Sequence, residues 1–165
     1  MNLPPPAADL LRQLADAMRP HVSPSTMLVG IHTGGVWIAE WLHQTLGLTS
    51  PPSSINASYH RDDHHLGGGR GGGRASRLPF DVEGAHVVIV DDVLYTGRTI
   101  RAAMNELFDY GRPGRIDLAV LVDRGGRELP IAATWCAATI QLPVSQSLDL
   151  ARSDAGELEF RITEK

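Results

Sequence analysis

Two adjacent aspartates, Asp91 and Asp92, stand at the end of the apolar run Val87-Val88-Ile89-Val90 and are followed by Val93-Leu94-Tyr95-Thr96-Gly97-Arg98-Thr99. Neighbouring carboxylates in such a place accept hydrogen bonds from vicinal hydroxyls or hold a hydrated divalent cation. A hydroxyl-glycine turn that opens a helix has the opposite preference. Its free N–H groups and the positive end of the helix dipole attract phosphate, and glycine allows close approach. Acids for sugar hydroxyls and amides for a phosphate together describe a site for a phosphorylated sugar. The plainer alternative is a solvated strand end whose acids cap the next helix.

These residues converge only if an element delivers them to one place. A buried parallel strand does so, because open α/β sheets bind ligands at the carboxyl ends of their strands. Residues 86–90 form a continuous β-branched run and are expected to be such a strand; the apolar stretches 27–31 and 116–122 are read as two more. Between them, apolar residues recur at helical spacing. Leu10, Leu11, Leu14, Ala17 and Met18 predict a first helix ending near Pro20, and Val36, Ile38, Ala39, Trp41, Leu42 and Leu46 a second ending at Gly47. A third spans 99–110 with Ile100, Ala103, Met104, Leu107 and Phe108 inward. His32-Thr33-Gly34-Gly35 is read as the loop that joins strand to helix. Strands alternating with helices imply a mostly parallel central sheet covered on both faces, an α/β fold. Residues 54–59 are a candidate strand, and 132–136 and 158–162 candidate short edge strands, the last with period-two alternation at Leu158, Phe160 and Ile162.

Residues 60–79 have no apolar period of either kind. A structureless stretch of that length within a compact domain is generally disordered or functional, so it is expected to be a lid, with a chemically idle insert as the alternative. Its core, Gly67-Gly68-Gly69-Arg70-Gly71-Gly72-Gly73-Arg74, is not a Walker loop, since no Gly-Lys-Ser/Thr follows. His60, His64 and His65 lie in the same stretch without an ordered set of ligands, so no metal is expected by direct ligation.

The 165 residues suit one domain, 1–165. A net charge of −4 argues against a broad nucleic-acid surface. Cys136 is the only cysteine, which excludes an intrachain disulfide and is read as a buried thiol in a cytoplasmic protein. The start lacks the basic head and long apolar run of a signal peptide, and no segment approaches a membrane span.

The run Val-Ile-Val-Asp-Asp-Val-Leu-Tyr-Thr-Gly-Arg-Thr, residues 88–99, resembles the 5-phosphoribosyl-1-pyrophosphate (PRPP) signature of type I phosphoribosyltransferases. Its second half is similar to the PyrR family, pyrimidine-operon regulators with uracil phosphoribosyltransferase activity. The likeness continues through Leu28-Val29-Gly30-Ile31-His32-Thr33, Arg61-Asp62-Asp63, Tyr110-Gly111-Arg112-Pro113, Leu121-Val122-Asp123-Arg124-Gly125 and Arg127-Glu128-Leu129-Pro130-Ile131. It implies a type I phosphoribosyltransferase fold with a small C-terminal hood over 132–165. The implied reaction joins PRPP and uracil to give UMP and pyrophosphate. Asp91 and Asp92 would hold the ribose hydroxyls, Val93, Leu94, Tyr95, Thr96, Gly97, Arg98 and Thr99 would wrap the 5-phosphate, and Thr33, Gly34 and Gly35 would face pyrophosphate. Mg²⁺ would arrive with PRPP. Arg61, Arg70, Arg74 or Arg77 would meet the departing oxyanions, Arg61 and Arg74 being the catalytic candidates; Arg124 would border the pocket and Leu148 line it, or else pack in the core. A homodimer or a dimer of dimers is the implied assembly.

Two departures from the family pattern matter. The family usually has a basic residue where this chain has Gly34, so pyrophosphate binding is expected to be weaker and Gly34→Arg to raise turnover. RNA-binding members present His-Arg after Asp-Arg-Gly with further basic residues downstream, where this chain has Gly126-Arg127, Ala132 and Ala138. Fewer phosphate-binding cations predict a weakened or absent RNA-attenuation role. The alternatives are RNA binding through the Gly/Arg stretch and a PRPP or UMP sensor with little catalysis.

Overall fold

The computed structural model describes residues 3–57, 78 and 80–165. The chain runs α1 (Ala7–Met18), a single 3-10 turn (Arg19–His21), β1 (Met27–Ile31), α2 (Gly34–Leu46), β2 (Ser53–Ile55), β3 (His86–Leu94), α3 (Arg98–Tyr110), β4 (Arg115–Asp123), β5 (Trp135–Thr139), β6 (Gln146–Arg152) and β7 (Leu158–Glu164). Strands β2-β1-β3-β4-β5 form a five-stranded sheet in that order, parallel at every pairing. The β1/β3 register sets Gly30 beside Val90, and the β3/β4 register sets Asp91 beside Val120 and Leu94 beside Asp123.

The all-apolar strands predict a sheet covered on both faces, and each face has its own core. Leu10, Leu14 and Met18 of α1 and Ile38 and Leu42 of α2 cover Leu28, Val88, Val90 and Leu121 on one side. Ile100, Ala103 and Leu107 of α3 cover Val29, Ile31, Val87 and Ile89 on the other. Each fully buried Leu, Ile or Met contributes about 1.5–3 kcal/mol, which outweighs modest helix propensity in fixing these elements. Two apolar residues are not where periodicity puts them: Ala15, not Ala17, faces the core from α1, and Phe108 is 56% exposed near the end of α3.

Several boundaries correct the sequence reading. β3 runs four residues past Val90, so Asp91 and Asp92 lie within the strand, held by pairing to β4. α2 starts at Gly34, which places both glycines in its first turn instead of a loop. A Cβ on Gly30 would come within 2.5 Å of Gly35 O, and one on Gly35 within 2.2 Å of Val90 O. Side chains at these positions would wedge α2 off the sheet. β2 is limited to Ser53–Ile55, and β5 begins at Trp135 and continues past Cys136, whose side chain is exposed, not buried.

The C-terminal strands are not edges of the main sheet. β6 and β7 pair antiparallel, Leu148 opposite Ile162 and Leu150 opposite Phe160, as a separate two-stranded sheet. Leu148 and Leu150 bury their side chains in the α1/α2 core. Of the expected strand 54–59, residues 58 and 59 lie outside the described residues, and the reading of 60–79 as a lid falls on residues of which only 78 is described. Among the described residues no helix is long and apolar enough to cross a membrane.

Candidate functional site

At the C-terminal end of β3 the start of α2 lies against a pair of acids, and α3 opens a few residues beyond them. Asp91 is 5% exposed, and its Oδ1 accepts the Asp92 amide at 2.9 Å. Asp92 Oδ1 accepts the Val93 amide at 2.9 Å. Its other oxygen, Oδ2, lies against α2: a Cβ on Gly34 would sit 2.5 Å from it and 2.9 Å from Cγ. Thr33, at the N-cap of α2, and Gly34 and Gly35 in its first turn are thus brought beside the acids, with the His32–Thr33 peptide cis. A side chain at position 34 would require the Asp92 carboxylate to shift, which weighs against the expected benefit of Gly34→Arg.

The second helix start is α3. Gly97 is its N-cap at φ +93°, a left-handed conformation that a side chain would strain. Thr96 Oγ1 accepts the Arg98 amide at 3.2 Å, and the Arg101 amide makes the first helical bond, to Gly97 O at 3.0 Å. Helix geometry leaves the amides of Thr99 and Ile100, between them, without intrahelical acceptors. Of Val93 and Leu94, expected to touch the phosphate, Leu94 buries its side chain in one core and Val93 packs partly buried against the other. Arg98 pairs through Nε with Glu128 Oε2 at 2.9 Å.

Residues 123–131 brace this turn from behind. Arg127 donates from Nε to Ile131 O at 2.8 Å, from Nη1 to Tyr95 O and from Nη2 to Asp123 Oδ2, both at 2.5 Å. The Glu128 and Leu129 amides donate to Thr96 O at 3.0 and 3.1 Å. Sequence reasoning grouped Arg127 with an RNA surface and missed this role; the signal was its position four residues after Asp123, with which it pairs. Arg124, expected at the pocket border, is 5% exposed. It donates to Gln146 O and Pro143 O at 2.8 and 3.2 Å and lies 4.1 Å from the Tyr95 ring centroid. It ties the acid-bearing end of the sheet to the start of the β6/β7 pair. Leu148, read as lining the pocket or packing in the core, is a core residue at 5% exposure. Arg61, Arg70, Arg74 and Arg77, with His60, His64 and His65, lie outside the described residues.

The donor set fits a divalent cation only in part. Adjacent carboxylates are hard oxygen ligands suited to Mg²⁺, yet among the described residues no three His, Cys, Asp or Glu side chains gather to hold an ion.

Two other features lie elsewhere. At the opposite end of the sheet, Asp117 accepts from His86 Nε2 at 2.7 Å, Arg115 Nε at 2.8 Å and Thr134 Oγ1 at 3.1 Å, while His86 Nδ1 meets Thr26 Oγ1 at 3.2 Å. Burial raises the Asp117 pKa, but the bonds from Arg115, His86 and Thr134 outweigh it and hold the carboxyl below the ordinary aspartate value. A groove of about 680 Å³ lies between the chain start and β7, lined by Pro5, Leu11, Trp37, Trp41, Arg152 and Phe160. It is remote from the aspartates in lining and chemistry.

Residues 7–146 match the phosphoribosyl transferase domain family. A protein of Pseudomonas putida (strain W619) named Bifunctional protein PyrR is 47% identical over 154 residues, covering 91% of this chain and 89% of that one. A Pseudomonas fluorescens protein of the same name is 42% identical over 165 residues, covering 98% of both. Among solved structures, a Leishmania tarentolae HGPRT-ase in complex with GMP aligns with a TM-score of 0.63 at 16% identity, over 83% of this chain and 79% of that one. The hypoxanthine phosphoribosyltransferase of Trypanosoma cruzi aligns at 0.57 and 21% identity, over 81% and 74%. These structures share the fold.

Proposed function

The chain belongs to the PyrR family of type I phosphoribosyltransferases, and from that membership we propose that it transfers the phosphoribosyl group of PRPP to uracil, giving UMP and pyrophosphate. One observation carries the reading: the start of α2 lies against the Asp91-Asp92 pair, and α3 opens at Gly97 a few residues further along the same segment, so two helix starts suited to anions accompany one pair of acids suited to a diol. A ribose carrying a 5-phosphate at one side and pyrophosphate at the other has that charge pattern.

In this reading Asp91 and Asp92 accept hydrogen bonds from the ribose 2- and 3-hydroxyls and orient the ring. The α3 start with Tyr95, Thr96 and Gly97 takes the 5-phosphate, and Thr33, Gly34 and Gly35 face the pyrophosphate. A uracil nitrogen forms its bond to the anomeric carbon as the bond from that carbon to pyrophosphate oxygen breaks, and the nitrogen's proton is released. The transition state has oxocarbenium character, so the residues act by positioning and by charge. Mg²⁺, when bound with PRPP, supplies neutralisation of the pyrophosphate. Arg61 and Arg74 are assigned to the departing oxyanions by resemblance. We read residues 1–165 as one cytoplasmic phosphoribosyltransferase domain that assembles as a dimer or a dimer of dimers.

Pyrophosphate release from PRPP and Mg²⁺ with uracil, hypoxanthine, guanine, adenine or orotate tests the assignment. Turnover with uracil alone is expected, and turnover with a purine would move the acceptor. A second reading, regulation of a pyrimidine operon, is favoured by the name Bifunctional protein PyrR on relatives 42–47% identical. Salt-dependent retention of RNA would support an RNA route for it. Silence with all five bases in a protein that binds PRPP would leave regulation as the main function.

A further inference from the structure

We propose that Arg127 is a positioning residue that aims the amides of the 95–97 turn at the 5-phosphate. The inference rests on the reading of that turn as the phosphate site. A trans peptide is planar and points its C=O and N–H in opposite directions. Tyr95 O is held by Arg127 Nη1, so the N–H of Thr96, in the same peptide, points away from residue 127. Thr96 O is held by the amides of Glu128 and Leu129, so the N–H of Gly97 points away from the brace as well. The orientation of both donors is therefore set from behind, by loop 123–131.

Arg127 is the centre of that loop. Its guanidinium satisfies three acceptors at once, Tyr95 O, Ile131 O and the Asp123 carboxylate, and its side chain is only 25% exposed. Asp123 is the last residue of β4, and it also accepts the Gly125 amide at 2.9 Å, so the guanidinium is referenced to the sheet itself. The packing is tight: a Cβ on Gly97 would lie 3.0 Å from Ile131, and one on Gly126 would lie 2.4 Å from the Tyr95 ring. A planar fork of five donors does this work, whereas a lysine ammonium is a point charge that cannot span the three acceptors. The role belongs to shape, not to net charge, and a guanidinium so engaged is a poor contact for an outside phosphate.

Titration calorimetry with UMP and, separately, with magnesium pyrophosphate distinguishes the cases in the full chain and its Arg127→Lys and Arg127→Gln variants. Both substitutions are expected to weaken UMP about tenfold or more while pyrophosphate affinity stays within about twofold, the size expected for losing charge-assisted hydrogen bonds at one subsite. Full UMP affinity in Arg127→Lys would overturn the proposal, because charge alone would then suffice. Equal weakening of both ligands would also overturn it, as a general loss of structure. Gly97→Val separates the underlying reading: unchanged UMP binding there means the turn is not the phosphate site. Loss of UMP binding in Gly97→Val with none in Arg127→Gln would sink the Arg127 role alone.

Discussion

At the N-terminal end of the parallel sheet, Asp117 is surrounded by His86, Arg115 and Thr134, and its hydrogen-bonding capacity is taken up by side chains. At the C-terminal end, Asp91 and Asp92 spend one oxygen each on the backbone amide that follows, and Asp92 Oδ2 lies against a glycine that leaves room for nothing larger. Both clusters include residues of β3, His86 at its start and Asp91 and Asp92 near its end. One end closes its acid into a side-chain network that ties four strand starts together; the other keeps a carboxylate pair against the start of α2. On the proposed reading, the same sheet thus has a stabilising end and a working end.

The largest expected effect lies at the working end. Asp91→Asn with Asp92→Asn should lower turnover by about a hundredfold to a thousandfold, the scale of losing positioned electrostatic groups, with thermal unfolding little changed. Steady-state kinetics beside a melting curve read both, and unaltered turnover would erase the distinction between the ends. Gly34→Arg comes next. Pushing Asp92 aside should cost about a hundredfold in kcat/KM, since small misplacements at a reacting centre are expensive. A gain would mean that the Gly34–Asp92 contact is not part of the site.

At the stabilising end, Asp117→Asn should reduce stability by about 1–3 kcal/mol in urea titration and leave kcat within about twofold. A large kcat loss with normal stability would show that the two ends are coupled. The smallest effect is the pH dependence of that stability. Asp117 has a lowered pKa when folded, so its contribution is complete above the unfolded value of about 3.9 and fades as pH falls through the lower folded value. Unfolding curves of the native protein should show this acid-limb loss, and Asp117→Asn should remove it.

Much of the working end was legible in the sequence because its signals are local. An apolar β-branched run, paired acids and a hydroxyl-glycine turn occur within residues 87–99, and each has a conformational reason to be there. The five-stranded parallel order follows from the same alternation, with errors of a few residues at boundaries that pairing partners decide. What stayed illegible depends on contacts between distant segments. Arg127 reaches Tyr95 across 32 positions, and His86 reaches Asp117 across 31. No periodicity encodes those pairings. β6 was missed because Gln146–Arg152 mixes polar and apolar residues on a strand that, among the described residues, pairs with β7 alone. Phe108 misled for the complementary reason: helical spacing placed it on the inner face of α3, but the sheet is already covered there by Ile100, Ala103 and Leu107.

The most direct measurement is amide chemical-shift mapping of the full chain on addition of PRPP with Mg²⁺. The largest changes are expected at Thr96 to Thr99, at Asp91 and Asp92 and at Thr33 to Gly35, with His86, Asp117 and Thr134 unmoved. Changes concentrated instead in the groove of Trp37, Trp41 and Phe160, with the Asp91-Asp92 region silent, would contradict the assignment of the working end.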